Sequence, residues 1–308
     1  MPQLTYGIQL PVQSQSTMYA EPWEAAAGAD DLAEIARVAD RSGFGYIACC
    51  DHVAIPRRLA DAMSTTWYDP VATLAYLAGI TERVRLLSHV AVVGLRHPLA
   101  TAKQYATLDH LSGGRLILGV GAGHVKEEFE ALGVDFERRG AVLDESIDAL
   151  KAALGPDEYP SFKGERYAFE GLGQKPRPAQ ARVPVWVGGS SAPAVRRAAT
   201  RGDGWLPQGD TRAQLPDQIV RLRRLREGAG IHRPVTVGAI AEPLYVGEPS
   251  WHVGRRTLSG SPDALAESLR AYPAMGVDQI QVRFRSRNRT ELTDQMAAFA
   301  AEVAPQLS

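Results

Sequence analysis

The sequence is poor in cysteine and has no excess of charge of one sign. Its two cysteines, Cys49 and Cys50, are adjacent in an apolar run. Adjacent side chains on a strand point to opposite faces, so a disulfide between them would be strained. Lysine plus arginine (34) nearly balance aspartate plus glutamate (35), for a formal net charge of -1. We therefore expect a reduced, cytoplasmic protein that is not a general nucleic-acid or membrane-surface binder.

Long apolar runs and a recognisable leader are also lacking. No stretch approaches the roughly 20 apolar residues that a membrane-spanning helix needs. Residues 1–15 lack the charged-then-apolar order of a secretory signal. The partner that we expect is a small organic molecule, and neither a membrane nor a nucleic acid.

What the sequence does contain is a regular alternation of strand-like and helix-like segments. Eight strands are predicted, at 4–10, 45–50, 83–93, 116–120, 183–188, 204–207, 233–240 and 276–284. Alternation implies parallel strands, and the count of eight favours a closed α/β barrel, a (β/α)8 TIM barrel, over an open sheet. We expect one barrel domain over residues 1–308. Inserted loops are predicted at about 11–29, 53–68, 155–180 and 241–259.

Two polar residues, Asp51 and His52, stand at the predicted carboxyl end of the second strand. Active sites of such barrels lie at the carboxyl ends of the strands. A carboxylate beside an imidazole can set its tautomer, and the imidazole can then move a proton. The alternative is that Asp51 only caps the loop and His52 is exposed.

Two further histidines belong to the segment 83–124. His89 interrupts an apolar strand, where a satisfied core histidine is the commoner explanation. His124 follows the glycine loop 119–123. With His52, these two would lie at neighbouring strand ends, which leaves a metal-dependent hydrolase open. Because ligand-type spacing is missing, we predict no metal site.

The turn at 188–191, Gly-Gly-Ser-Ser, precedes a predicted helix. Backbone N–H groups and the positive end of a helix can bind an anion there, although a plain tight turn with a serine cap is the alternative. Further along, arginines alternate and share one side if the last strand extends. They are Arg283, Arg285, Arg287 and Arg289. Beside a phosphate site they would attract an anionic group, and otherwise they are ordinary surface charges.

Four blocks of the chain resemble the luciferase-like monooxygenase superfamily, the bacterial luciferase-like TIM barrels. Within it they are similar to the branch of coenzyme F-420 (deazaflavin)-dependent oxidoreductases. The blocks are GFGYIACCDHV at 43–53, RVRLLSHVAVVGLRHPLATAKQYATLDHLSGGRLILGVGAG at 83–123, KEEFEALGVDFERRGAVLDESIDAL at 126–150 and PVWVGGSSAPAVRRAATRGDGWLP at 184–207.

The resemblance implies an oxidoreductase that binds coenzyme F-420, or alternatively FMN, at the strand ends. It implies a cis peptide between His89 and Val90 behind the cofactor ring, with Asp51 and His52 beside the redox centre of that ring. The catalytic residues that we predict are Asp51, His52 and His124. It implies a phosphate turn at Gly188, Gly189 and Ser190. The other cofactor-binding residues that we predict are Gly121, Ala122, Arg283 and Arg285. A non-catalytic flavin-binding protein is the alternative of another class.

The chain departs from the sugar-phosphate dehydrogenases of this group. They carry Glu in the glycine loop and Trp shortly after the Asp-His pair, where this chain has His124 and, at about the second place, Pro56. The glucose-6-phosphate reaction is therefore not expected, and the substrate stays open. The resemblance also implies a homodimer.

Overall fold

The computed structural model describes residues 4–17, 19–209 and 212–307. Eight of its strands are parallel and close into a barrel in the order β1-β2-β3-β4-β7-β8-β9-β12, with β12 pairing back to β1. The strands in chain order are β1 Thr5–Gln9, β2 Tyr46–Cys49, β3 Arg85–Ser88, β4 Leu116–Val120, β5 Phe162–Lys163, β6 Ala168–Phe169, β7 Val185–Gly188, β8 Gly204–Leu206, β9 Thr236–Ile240, β10 Leu244–Val246, β11 Leu258–Gly260 and β12 Gln279–Val282. This confirms the predicted α/β barrel.

Helices cover the outside of the barrel. In chain order they are α1 Ala29–Arg41, α2 Ala60–Met63, α3 Pro70–Ala78, α4 Pro98–Leu111, α5 Lys126–Ala131, α6 Arg139–Leu154, α7 Ala192–Arg201, α8 Leu215–Gly228, α9 Pro262–Leu269, α10 Ala271–Ala274 and α11 Arg289–Ala298. A π-helical segment, Phe299–Val303, and a 3-10 segment, Ala304–Leu307, follow α11. None of the helices in the described residues is long and apolar enough to cross a membrane.

Two apolar layers hold the barrel together. Side chains alternate along each strand, so one set fills the barrel and the other packs beneath the helices. The inner set comprises Tyr46, Ala48, Leu87, Ile117, Trp186 and Leu206. The outer set is larger and includes Ile47, Leu86 and Leu118. Because the interior is filled, a site belongs where the strands end.

Local sequence signals set most helix starts. Asp69 accepts from Ala72 N at 2.9 Å and Ser261 accepts from Ala264 N at 3.3 Å, so both are N-caps. The adjacent Asp30 and Asp31 predict an N-cap for α1, and this prediction is wrong because neither of them is the N-cap residue. The N-cap is Gly28, and its N–H donates to the Asp31 carboxylate at 2.9 Å from within the first turn.

Seven of the eight predicted strands are shorter in the structure. The difference is largest for β3 and β12, because the chain after each of them turns to make other contacts. β3 ends at Ser88, after which Ala91 makes a bridge to Val120 of β4. β12 ends at Val282, and Phe284 bridges to Leu244.

The predicted insertions contain structure of their own. Loop 155–180 carries the antiparallel pair β5–β6, and loop 241–259 carries β10, which pairs in parallel with β11. Loop 53–68 carries α2, and loop 11–29 carries a 3-10 helix, Pro22–Ala26. Residue 18 of loop 11–29 lies outside the described residues.

Candidate functional site

The chain directly after β3 stays tied to both neighbouring strands. The His89–Val90 peptide there is cis, as the resemblance predicted. His89 N donates to Cys49 O of β2 at 2.7 Å. On the other side, Ala91 N donates to Gly119 O at 2.8 Å, and Gly121 N donates to Ala91 O at 3.0 Å. These bonds fix the position of Val90 at the mouth of the barrel.

Val90 fits between two glycines, and we call Val90, Gly121 and Gly188 the glycine wall. A Cβ built on Gly121 would lie 2.4 Å from Val90 Cγ2, and one on Gly188 would lie 2.7 Å from Val90 Cγ1. Real Cβ atoms essentially never come so close. The three residues therefore form one apolar surface, made from the ends of three different strand segments, that excludes any larger side chain.

His89 lies beside this wall with an unused nitrogen. The residue is 5% exposed, and its Nδ1 has no hydrogen-bond partner in the part of the chain that the structure describes. Its Nε2 lies 3.5 Å from Gln208 Nε2. Burial lowers the pKa of His89 to about 4, so the ring is neutral at neutral pH. A buried nitrogen without a partner matches a place where a polar atom of a bound molecule would lie.

The turn after β7 is partly used by the fold itself. Gly189 has a φ of +103°, which favours glycine. Its N–H donates to Leu206 O at 2.9 Å, and Trp205 Nε1 donates to Gly189 O at 2.9 Å. Ser190 Oγ accepts from Gln208 N at 2.9 Å. The turn stands at the N-terminus of α7, but the Gly189 amide is not free for an anion, contrary to the prediction of free N–H groups.

The glycine loop after β4 adds Ala122 to the same end of the barrel. Ala122 is half-buried and packs against the outer core. Next to it, Gly123 has a φ of +75°, and a Cβ built there would lie 2.8 Å from the ring of Phe129. This turn leads the chain toward His124 and α5.

Asp51 holds Arg96 and not His52. Its Oδ2 accepts from Arg96 Nη1 at 2.7 Å and its Oδ1 from Arg96 Nη2 at 2.8 Å, a bidentate pair. Oδ2 also accepts from Val92 N at 2.8 Å. The Asp51 side chain is 1% exposed. The interpretation that Asp51 orients the His52 ring is therefore wrong, because its acceptor sites serve the loop after β3.

Glu128, on α5, is the carboxylate that contacts His52. Glu128 Oε2 lies 2.8 Å from His52 Nδ1, and Oε1 accepts from Val53 N at 2.6 Å and from Ala54 N at 3.1 Å. The side chains of His52 and Glu128 are 8% and 3% exposed. The Glu128 carboxylate therefore holds in place both the His52 ring and the backbone of the two residues after His52.

Two aromatic rings flank His52. The Trp67 ring lies 4.5 Å away and the His124 ring 5.3 Å away, both edge-on. The structure thus brings together His52 and His124, as predicted, and adds Trp67 and Glu128. Trp67 Nε1 donates to Met63 O at 3.1 Å, which fixes its indole.

The electrostatics of this group favour an ionised Glu128 and a neutral His124. Burial alone would raise the pKa of Glu128, but the hydrogen bonds from His52 and the amides of Ala54 and Val53 outweigh it and lower that pKa. His124 is exposed as a residue, yet atoms packed around its ring remove water, and this desolvation with the nearby His52 lowers the pKa of His124.

The four arginines at 283–289, which we call the arginine segment, do not form the predicted row. β12 ends before them. Arg285 Nε lies 3.0 Å from Glu21 Oε1, Arg287 pairs with Glu291 at 3.0 Å, and Arg289 with Asp31 at 3.1 Å. Arg283 is half-buried and lies over the Tyr19 ring, 5.4 Å from its centroid. Burial raises the pKa of Glu21, against the lowering effect of Arg285 and Arg283.

A metal cluster is not found in residues 4–17, 19–209 and 212–307. No group of three or more His, Cys, Asp or Glu side chains is placed there to hold an ion. His89 does not join His52 and His124 in such a group.

Three residues of this site were not predicted from the sequence. Arg96 lies within the block 83–123 and Trp67 within the predicted loop 53–68, but no pattern gives either of them a role. Glu128 was missed, although its place on the helix directly after the glycine loop put it near the strand ends. A search for carboxylates within one helical turn of that loop would have found it.

Comparison with known proteins gives a family. A profile described as luciferase-like monooxygenase matches residues 4–250. An uncharacterised protein of Mycobacterium tuberculosis is 32% identical over 221 residues, which are 67% of this chain and 75% of that protein. An FMNH2-dependent dimethylsulfone monooxygenase of Pseudomonas putida is 30% identical over 216 residues, which are 68% of this chain and 57% of that enzyme.

Solved structures share the barrel. The monooxygenase RslO1 from Streptomyces bottropensis matches with a TM-score of 0.82 and 22% identity, over 99% of this chain and 100% of that one. An F-420-dependent secondary alcohol dehydrogenase, in complex with an F-420–acetone adduct, matches with a TM-score of 0.79 and 14% identity, over 99% of each chain. At these sequence identities, the similarity to the two structures shows only that the fold is shared.

Proposed function

This chain belongs to the luciferase-like monooxygenase family and is a flavin-dependent oxidoreductase, and we propose that it uses the deazaflavin coenzyme F-420 to transfer hydride to or from an organic substrate. The observation that carries the proposal is the glycine wall with the unpartnered Nδ1 of His89 beside it. An apolar surface with a buried polar atom at its edge suits a planar ring that has a polar rim.

The proposal assigns the cofactor to named residues. Val90, Gly121 and Gly188 would back the ring, and Ala122 would lie beside it. At the turn of Gly188, Gly189 and Ser190, the Gly189 amide is already bonded to Leu206 O, so a phosphate of the tail would bind through the N-terminus of α7. When bound, the cofactor supplies or accepts the hydride. Arg283 and Arg285 would draw in the anionic part of the tail, and this remains a prediction.

The protein's own groups would handle the proton that accompanies hydride transfer. His52 or His124 is the proton partner that we propose, and Asp51 would act on the site only through Arg96 and the Val92 amide. Neutral histidine can accept a proton or, once charged, donate one.

Two inserted loops would keep water from the reaction. Loop 11–29 and loop 53–68 hydrogen-bond to each other: Gln15 N donates to Thr66 O at 3.2 Å, and Tyr68 N donates to Gln13 O at 2.9 Å. They carry Trp67 against His52. Loops that cover a site in this way strengthen its electrostatics by excluding water.

FMN is the second candidate, because the FMNH2-dependent relative from Pseudomonas putida is 30% identical to this chain. Titration of the protein with oxidised F-420 and, in parallel, with FMN, followed by ring fluorescence, tests the choice. We expect saturable binding of F-420 and weaker binding of FMN. Tight FMN binding without F-420 binding would replace the deazaflavin proposal by an FMN-dependent monooxygenase.

The homodimer implied by the resemblance also remains a proposal. Sedimentation equilibrium is the direct test, since the mass of one chain is 33.3 kDa. A species of twice that mass would support the dimer, and a monomer at all concentrations would contradict it.

A further inference from the structure

We propose that Glu128 is a positioning residue that keeps a proton on His52 Nδ1 and so leaves Nε2 as the ring atom that exchanges a proton with the substrate. This inference rests on the proposed function for the kinetic part only. The position of the proton on the ring is a property of the protein alone and can be measured without cofactor.

The first step concerns the protonation state of Glu128. A carboxylate without a proton accepts hydrogen bonds and donates none. Both oxygens of Glu128 are used, one by His52 and the other by the amides of Val53 and Ala54. Two backbone N–H donors on the same carboxylate stabilise its ionised form. The partner atom, His52 Nδ1, must therefore be the donor.

The second step follows from the two nitrogens of a neutral imidazole. One carries the proton and the other accepts, so a proton fixed on Nδ1 leaves Nε2 bare. In the described part of the chain, Glu128 contacts the ring through Nδ1, and His52 Nε2 makes no hydrogen bond to another residue. Nε2 is thus the nitrogen that remains available to a bound molecule.

The third step separates His52 from His124. No carboxylate hydrogen-bonds to the His124 ring within residues 4–17, 19–209 and 212–307, so the position of its proton is not fixed by one. A positioned base contributes to catalysis only if its orientation is maintained. The geometry therefore favours His52 as the proton partner and gives His124 the place of a neighbour that shields the ring.

A purely structural role for Glu128 is the competing explanation. Besides the contacts of Glu128, α5 binds the loop after β2 through a surface ion pair. In this pair Glu127 Oε1 lies 2.5 Å from Arg58 Nε. Glu128 could then serve only to fasten this loop through the Val53 and Ala54 amides. The two explanations differ in what happens to the ring proton when the charge of Glu128 is removed.

The test uses Glu128→Gln, which keeps the size but not the charge, with Glu127→Gln as the matched control. Nitrogen-15 NMR of the histidine-labelled protein without cofactor distinguishes a protonated ring nitrogen from a bare one. We expect His52 to carry its proton on Nδ1 in the parent and in Glu127→Gln, and the Nε2–H form to rise several-fold in Glu128→Gln. A parent ring protonated on Nε2, or a tautomer ratio unchanged in Glu128→Gln, would overturn the inference.

The kinetic arm uses hydride transfer with F-420. We expect Glu128→Gln to lower kcat by about tenfold to a hundredfold with KM nearly unchanged, because general acid–base groups contribute about 10²–10⁴-fold when positioned. Glu128→Asp keeps the anion and should recover part of the rate. If neither cofactor binds, the proposed function fails while the NMR result still decides the role of Glu128. If Glu128→Gln does not fold, Glu128→Ala, which also removes the charge, provides the comparison of ring tautomers.

Discussion

The glycine wall and the arginine segment were both predicted to bind the cofactor, but their side chains have different surroundings in the structure. At the glycine wall, Val90, Gly121 and Gly188 come from distant parts of the sequence and meet, and a buried nitrogen of His89 next to them has no partner in the described residues. In the arginine segment, Arg287 and Arg289 each hydrogen-bond to an acid of the same chain, whereas Arg285 Nε lies 3.0 Å from Glu21 Oε1 and makes no hydrogen bond within the described residues.

The difference shows what to look for in a candidate binding surface. Groups that already satisfy each other gain little from a ligand, whereas a polar atom left unsatisfied in a buried place gains a full hydrogen bond. The glycine wall carries the functional proposal because it adds an apolar surface to its unsatisfied atom. Arg285 also has a buried donor without a hydrogen bond in the described residues, whereas Arg287 and Arg289 are already paired.

The largest effect is expected from Gly121→Ala. Its Cβ would overlap Val90 Cγ2, and overpacking of this kind costs about 1–3 kcal/mol in the free energy of unfolding. Displacement of Val90 into the mouth should also abolish most cofactor binding. Urea denaturation and fluorescence titration measure the two effects.

Two variants control this experiment. Gly228→Ala, at the end of α8 with no atom within 4 Å of the added Cβ, should leave both stability and binding intact. Adding Val90→Ala to Gly121→Ala should recover much of the lost stability by making room. If Gly121→Ala binds cofactor like the parent, the wall does not support the ring.

His89→Leu tests the buried imidazole of His89 through the pH dependence of the free energy of unfolding. The usual pKa of histidine is near 6.5, whereas burial lowers that of folded His89 to about 4. The unfolded chain therefore takes up the proton first, so this group's contribution to stability is present above pH 6.5 and is lost as the pH falls toward 4. Between pH 7.5 and pH 5 the loss is about 2 kcal/mol.

We expect His89→Leu to remove that part of the pH dependence and to weaken cofactor binding without loss of stability at pH 7.5. Denaturation curves at the two pH values make the measurement. An unchanged difference between pH 7.5 and pH 5 in the variant would mean that His89 is not the group responsible.

A smaller effect is expected from replacing Arg283 and Arg285 together by Ala. If they attract the anionic tail, F-420 affinity should fall by about tenfold, equivalent to about 1.4 kcal/mol, and should depend less on salt. Titration at low and high ionic strength shows both changes. Equal affinity and equal salt dependence would make these arginines part of the fold only.

The smallest effect belongs to Arg287 and Arg289. Both are exposed, and exposed ion pairs contribute about 0–1 kcal/mol. Replacing both by Ala should leave F-420 binding unchanged and shift stability only slightly. A loss of affinity as large as that of the Arg283 and Arg285 double variant would show that the whole segment attracts the cofactor.

The barrel itself could be predicted from the sequence because its signals are local. Buried parallel strands are continuous apolar runs, and the start of a helix shows in residues such as Pro98, Asp69 and Ser261. The residue at which a strand ends depends on contacts that are distant in the sequence. β3 stops at Ser88 because the following residues bond to β2 and β4, and no pattern within 83–93 indicates this.

The site could be predicted only in part, for a related reason. A motif names residues that are near one another in sequence, such as Asp51 and His52, but the partners of these two lie far away. Arg96 hydrogen-bonds to the Asp51 carboxylate, and Glu128 hydrogen-bonds to the His52 ring. Pairing between charges depends on how the loops fold together, which neither periodicity nor residue spacing encodes.

Fluorescence titration of oxidised F-420 against the parent, Gly121→Ala and Gly228→Ala tests the central claim most directly. If the glycine wall supports a deazaflavin ring, F-420 should bind saturably to the parent and to Gly228→Ala. Gly121→Ala should lose most of its affinity for F-420. Equal binding to all three proteins, or no binding to the parent, would contradict it.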